Sequence, residues 1–170
     1  MRAGIAPFGG AGGSGLVMSR LPDGSWSAPS MLTPQNLSVG FLIGLDILDV
    51  VLIINSPAAL EGFKSHKFTL GGEIGVAAGP LGAGASAEAS VKEGKLVPPI
   101  YSYVKSRGLY AGVEIIGQVF LTRFDENERV YHHPRVTGRD ILDGKVRMPP
   151  EVASLHKTLQ EAEKGTAQLV

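Results

Sequence analysis

The chain of 170 residues contains no cysteine. That excludes a disulfide framework, a thiolate zinc site and a thiol nucleophile, and it suits a reducing compartment. Net charge of either sign is also missing, because 16 Lys and Arg balance 16 Asp and Glu. A groove for duplex nucleic acid ordinarily carries a basic excess, so nucleic acid is not an expected partner. No continuous apolar segment follows Met1, and with it the signature of a secretory signal is absent. The longest apolar run, residues 37–54, carries Asp46 and Asp49 near its middle. Each would cost about 2.5–3.5 kcal/mol at the centre of a bilayer helix, so no membrane span is expected. The run reads instead as two strands with the aspartates as turn residues between them.

What is present suffices for one domain with a real core: 44% of residues are hydrophobic and 19% charged. The organising stretch is Leu70 to Gly117, where apolar and small residues alternate with period two and glycines recur inside strand-like segments. Glycine inside a strand is normally a penalty, so its repetition suggests a sheet face that another layer approaches closely. Only 3 of the 23 glycines lie beyond Gly117, and there the pattern changes to short helical turns between Asp125 and Gly144.

Taken in order, residues 1–13 are glycine-rich and offer no confident element. A short strand over Ser14–Leu21 enters the turn Pro22-Asp23-Gly24, Trp26 follows as a packing anchor, and Ala28–Gln35, with two prolines, reads as loop. From Leu37, Val39, Phe41, Ile43, Leu45 and Ile47 alternate with Ser38, Gly40, Leu42, Gly44 and Asp46. Val50–Ile54 is apolar on both faces, as in a strand covered on both sides. Ser56-Pro57 has the chemistry of an N-cap and first helical residue, opening a helix to about Phe63. Strand-like segments follow: Lys67–Gly79 with Phe68, Leu70, Ile74, Val76 and Ala78 on one face, then Ala85–Val91, Ile100–Arg107, and after Gly108 Leu109–Leu121. Lys92-Glu93-Gly94-Lys95 is a polar turn. Pro149-Pro150 precedes Val152, Leu155, Leu159 and Ala162, whose spacing marks one face of a closing helix. The fold class is mainly β with some α: an antiparallel, meander-rich sheet, sandwich or barrel-like, with short peripheral helices and a C-terminal helix.

Reactive constellations are missing. Gly10, Gly12 and Gly15 spell G-x-G-x-x-G, but a dinucleotide site needs a strand before and a helix after them. Gly79–Gly84 lacks the Gly-Lys-Ser/Thr of a phosphate loop and reads as a tight connection. His132-His133 has no carboxylate at metal-ligand spacing, Asp46 and Asp49 have no nucleophile to serve, and neither Ser30 nor Ser102 sits in a G-x-S-x-G elbow. No catalytic residue, metal or cofactor is expected.

Four runs are more specific: Ser19–Ser30 (SRLPDGSWSAPS), Asp49–Asn55 (DVVLIIN), Leu70–Gly82 (LGGEIGVAAGPLG) and Tyr101–Gly112 (YSYVKSRGLYAG). Weaker matches are Asp125-Glu126-Asn127 with Tyr131, and Ile141–Val146. In this order they resemble the SYLF lipid-binding domain, also described as the actin-binding domain of fungal cortical-actin proteins. The resemblance implies a flexible N-terminus over 1–13, a SYLF-like β domain over 14–147, and a C-terminal helix and tail over 148–170. It implies a non-enzymatic adaptor in the cytoplasm that binds phosphoinositide-containing membrane and filamentous actin at endocytic cortical patches. It also gives the expectation that the family's usual N-terminal helical segment is absent before Met1, leaving the sheet face without its helical cover, and that the frequent Src-homology-3 module is absent too.

Candidate contact residues follow from charge and aromaticity. Tyr101, Tyr103, Lys105 and Arg107 share a strand face suited to a phosphorylated headgroup or an acidic actin surface, because Arg forks grip phosphate and carboxylate oxygens. Lys64 and Lys67, with His66, sit at a helix–strand junction where each cation would contribute ~1 kcal/mol at an anionic membrane. Solvated strand faces carry the same residue types, so exposure and partners must decide. A different class of function, a carrier that encloses a small apolar lipid against the glycine-lined sheet, fits the same pattern.

Overall fold

The computed structural model describes residues 1–77, 90–92, 95–97 and 100–165. They form two compact units whose segments alternate along the chain: Met1–Gly15 with Leu32–Thr122, and Leu16–Met31 with Arg123–Val170.

The first unit is a curled, half-barrel-like antiparallel sheet. Strands β1 (Arg2–Ile5) and β2 (Phe8–Gly12) form a tight hairpin, followed by the short β3 (Gly15–Val17). The long strand β4 spans Ser30–Ile54, α1 spans Pro57–Phe63, β5 spans Lys67–Ala77 and β8 spans Ile100–Thr122. Between the last two, β6 (Ser90–Lys92) and β7 (Lys95–Val97) pair as a separate two-stranded ribbon. The order β1-β2-β4-β8-β5 makes β8 the central partner of both β4 and β5. The sheet is thus antiparallel as expected but not a meander, because α1 carries the chain from β4 past one strand position to β5.

Several expectations are corrected. Asp46 and Asp49 do not turn the chain. β4 is one 25-residue strand, and its ladder with β8 runs unbroken from Leu32↔Thr122 to Ile54↔Ile100. Asp49 is tolerated because its side chain is open to solvent and Arg107, across the ladder, binds it. Within the strand Gly44 takes φ +146°, a conformation that side-chain-bearing residues rarely adopt. Residues 30–35 belong to β4 rather than to a loop. Pro34 stands opposite Phe120 on the β8 side, one position past Gln35, where the β2 ladder stops. Gly108 does not separate two strands either, being interior to β8. Val50–Ile54 is not covered on both sides, since Val51 and Ile53 are 61% and 46% exposed. In β5 the register against β8 slips by one between Leu70 and Glu73, at Gly71-Gly72, so the alternation counted from Phe68 to Val76 is broken. The expected strand over 85–91 and the loop over 79–84 fall largely outside the described residues.

Helix α1 forms as the sequence dictates. The Ser56 hydroxyl accepts from the Ala59 N–H at 3.4 Å and Pro57 opens the helix. Phe63 is buried with its ring centroid 5.0 Å from that of Phe120, and the Thr122 N–H and hydroxyl donate to the His66 and Ser65 carbonyls. The helix and the start of β5 are thereby fixed to the end of β8.

The second unit is built on polar knots. Leu21 and Ser25 close the expected turn, Gly24 takes φ +82°, and the Asp23 carboxylate accepts from both the Ser25 N–H and hydroxyl. Helices α2 (Phe124–Tyr131), α3 (Gly138–Leu142) and α4 (Ala153–Glu163) follow, the last preceded by a 3₁₀ turn over Pro150–Val152. Ala28, Val136 and Ile141 form the core, with Tyr131, Val146 and Met148 against them. Fully buried Asn127 accepts the Met31 N–H at 2.8 Å and donates to the Ser30 hydroxyl at 3.4 Å. The Ser19 hydroxyl donates to the Leu142 carbonyl, and Tyr131 to that of Pro29. Gly144, at φ +76°, lies so close to Leu21 that a Cβ there would meet its Cδ1 at 2.7 Å.

Candidate functional site

Residues on one face of a strand are fixed by parity, and the β4–β8 ladder pairs odd positions with odd. Tyr101 therefore stands opposite Ile53, Tyr103 opposite Val51, Lys105 opposite Asp49 and Arg107 opposite Ile47. All four β8 residues are exposed, Tyr101 at 41% and Tyr103 at 61%, while the intervening Ser102 and Val104 are half-buried. The four predicted residues are thus brought together as one row facing solvent. The Arg107 guanidinium binds Asp49 Oδ2, a diagonal contact across the ladder. Lys105, although directly across from Asp49, has no carboxylate partner among the described residues.

Lys64 and Lys67 are not part of that row. Lys64 is the C-cap of α1, its side chain is 14% exposed, and its ammonium lies 2.9 Å from the Glu61 carboxylate. Lys67 opens β5 opposite Leu121, at the far end of the ladder. Fourteen strand positions separate Leu121 from Arg107, roughly 46 Å along the chain. A single ligand headgroup does not span both clusters. His66 is exposed beside them, its carbonyl held by Thr122.

Sequence reasoning missed what surrounds the row. Ile5, Phe8, Leu37, Ile43, Leu45, Ile47, Val51 and Ile53 are all 46–79% exposed. On β4 these are odd positions, and the hairpin register sets Ile5 opposite Ile43 and Phe8 opposite Val39. They therefore share the face of the tyrosines. The shared parity was visible in the sequence, but a run of β-branched residues ordinarily marks an inward face.

The remaining candidates are accounted for structurally. His132 takes a left-handed conformation at φ +48° and terminates α2, rather than lying in an extended segment. Ser30 is buried against Asn127. Gly10 and Gly12 lie in β2 and Gly15 in β3, with no helix after them. Among the described residues no three His, Asp or Glu gather as a metal would need, and no helix is long and apolar enough to cross a membrane. In the second unit, burial pushes the Tyr131 phenol up to about 12.

Comparison with known proteins agrees with these elements. The family model Ysc84, described as "Las17-binding protein actin regulator", matches residues 35–162. LAS seventeen-binding protein 3 of Saccharomyces cerevisiae is 39% identical over 154 residues, covering 90% of this chain and 33% of that protein. Protein YSC84 of the same yeast is 40% identical over 154 residues, 90% of this chain and 32% of that protein. SH3 domain-containing YSC84-like protein 1 of Rattus norvegicus is 40% identical over 149 residues, 87% of this chain and 43% of that protein. The chain spans about a third of the length of the yeast relatives. No solved structure matches. The match covers β4 through α4, including the ladder and its exposed row, and the chain belongs to the Ysc84 family of Las17-binding actin regulators.

Proposed function

We propose that this chain is a non-enzymatic adaptor module that engages filamentous actin and phosphoinositide-containing membrane at the cell cortex, in endocytosis-linked actin organisation. The observation that carries the reading is the solvent-facing row Tyr101, Tyr103, Lys105 and Arg107. Its cations meet acidic side chains or phosphate oxygens, and its two rings, each with few rotatable bonds, fix orientation at little entropic cost. The family's description as Las17-binding actin regulators supports the actin half. The lipid half rests on the sequence resemblance and on the same cations. Lys64 and Arg107 are already paired with Glu61 and Asp49, so Lys105 is the cation on which the reading rests most. Cytoplasmic placement at cortical actin follows from such partners.

Co-sedimentation with filamentous actin tests this. Pelleting is expected at low ionic strength and should fall as salt approaches physiological levels, where screening acts over about 8 Å. Lys105→Glu should weaken it further. Folded protein that stays in the supernatant at low salt removes the actin half, and failure to float with anionic liposomes removes the lipid half. The exposed aliphatics of β4 favour a second reading, a carrier of an apolar lipid. Native mass spectrometry separates the two, since a carrier retains a co-purifying lipid.

A further inference from the structure

The odd face of the β4–β8 ladder exposes more apolar surface than a monomer ordinarily leaves in water. Ile5, Phe8, Leu37, Ile43, Leu45, Ile47, Val51, Ile53, Tyr101 and Tyr103 lie on one side of one sheet. At roughly 100 Å² each they offer on the order of 1,000 Å², against about 300–600 Å² for the largest patch of a typical monomer and about 800 Å² per partner in a standard interface. We infer that this face is the contact surface of a homodimer, in which two copies of the chain stack their sheets about a two-fold axis.

Three observations select a second copy over a bilayer or an unrelated partner. The area matches what a stable dimer of this size requires. The face also carries charges of both signs at its middle, with Asp49, Lys105 and Arg107 between the aliphatics at 43–47 and the group Val51, Ile53, Tyr101 and Tyr103. Hydrocarbon would leave such a row desolvated without compensation. Finally, among the described residues the charges of the row are not all paired within one copy, and the row carries both signs. Asp49 uses only Oδ2 toward Arg107, and Lys105 has no acid among the described residues. A two-fold axis running along the strands between β4 and β8 places each Lys105 against the other copy's Asp49, and each Val51 and Ile53 against the other copy's Tyr103 and Tyr101. Such a contact is isologous and closes at two copies. The dimer does not depend on the actin reading, but it covers Tyr101 to Arg107, so self-association and partner binding at that row exclude one another.

Sedimentation velocity on the intact chain, without actin or lipid, tests the proposal. A reversible dimer is expected between about 1 and 100 μM. Val51→Lys should raise its dissociation constant at least tenfold with the far-ultraviolet circular dichroism unchanged, because the side chain is exposed in the single copy. Lys105→Asp and Asp49→Lys should each be monomeric alone and associate when mixed, since only the mixture sets acids against bases. A folded chain that stays monomeric throughout overturns the inference. So does a dimer indifferent to Val51→Lys, or a charge-swapped mixture that stays monomeric.

Discussion

The two units are held together by different means. In the unit built on β4 and β8, two strands of more than twenty residues share one uninterrupted ladder, yet only Leu32, Ala59, Phe63, Ile100 and Phe120 are buried among its described apolar side chains. In the other unit no strand exceeds three residues, while Ile141, Leu142, Val136 and Asn127 have at most 2% exposure. One unit relies on backbone pairing and leaves a face for something else to cover. The other spends its residues on a dry, locked interior. An open sheet face and a closed core are thus assigned to different segments of one short chain.

Substitutions in the locked interior should hurt most. Ile141→Ala removes a side chain with no exposure and should cost about 3 kcal/mol in urea unfolding. The fluorescence of Trp26, the single tryptophan, reports this unit, whereas the amide circular dichroism is dominated by the ladder. If Ile141→Ala shifts both signals equally, the units unfold together and the contrast between them is only architectural. Asn127→Ala should cost about 2 kcal/mol by the same measurement, because the Met31 N–H loses its acceptor. Tyr131→Phe removes the bond to the Pro29 carbonyl and should cost about 1 kcal/mol.

The same tyrosine gives a pH test. Its phenol is pushed from 10.0 up to about 12, so the folded chain keeps a proton that the unfolded chain loses first. Stability from this source is whole below pH 10 and falls as pH rises toward 12, a decline that Tyr131→Phe should flatten. At the small end, Val51→Lys on the open face should change stability by no more than about 0.5 kcal/mol. A loss of several kcal/mol there would mean that the face is already covered within one copy.

Legibility in the sequence follows the range of the interactions. Ser56-Pro57 and the turn at Pro22-Asp23-Gly24 were readable because cap and turn chemistry is complete within four residues. The row from Tyr101 to Arg107 was readable because parity is local. The length of β4 was not. Asp49 looks like a turn residue until Arg107, 58 positions away, is known to bind it diagonally across the ladder. Pro34 looked like a loop because proline ordinarily argues against a strand interior, and only the long-range pairing with Phe120 shows that it lies in one. The hairpin at residues 2–12 escaped because Gly and Ala carry little propensity signal of their own. Asn127 escaped because nothing in its neighbours distinguishes a buried amide from a surface one.

The separation between β4 and β8 also has a consequence for how the chain is made. The nearest rungs of their ladder are Ile54 and Ile100, so the ribosome must add residues 55–99 before the first rung can form. At about 5–20 residues per second, β4 waits several seconds with its hydrogen-bonding edge and its aliphatic row open to solvent. Closing so large a loop is also slow by contact order. A nascent chain of this kind is a natural client for a holding chaperone, and that period of waiting is where misassembly would begin.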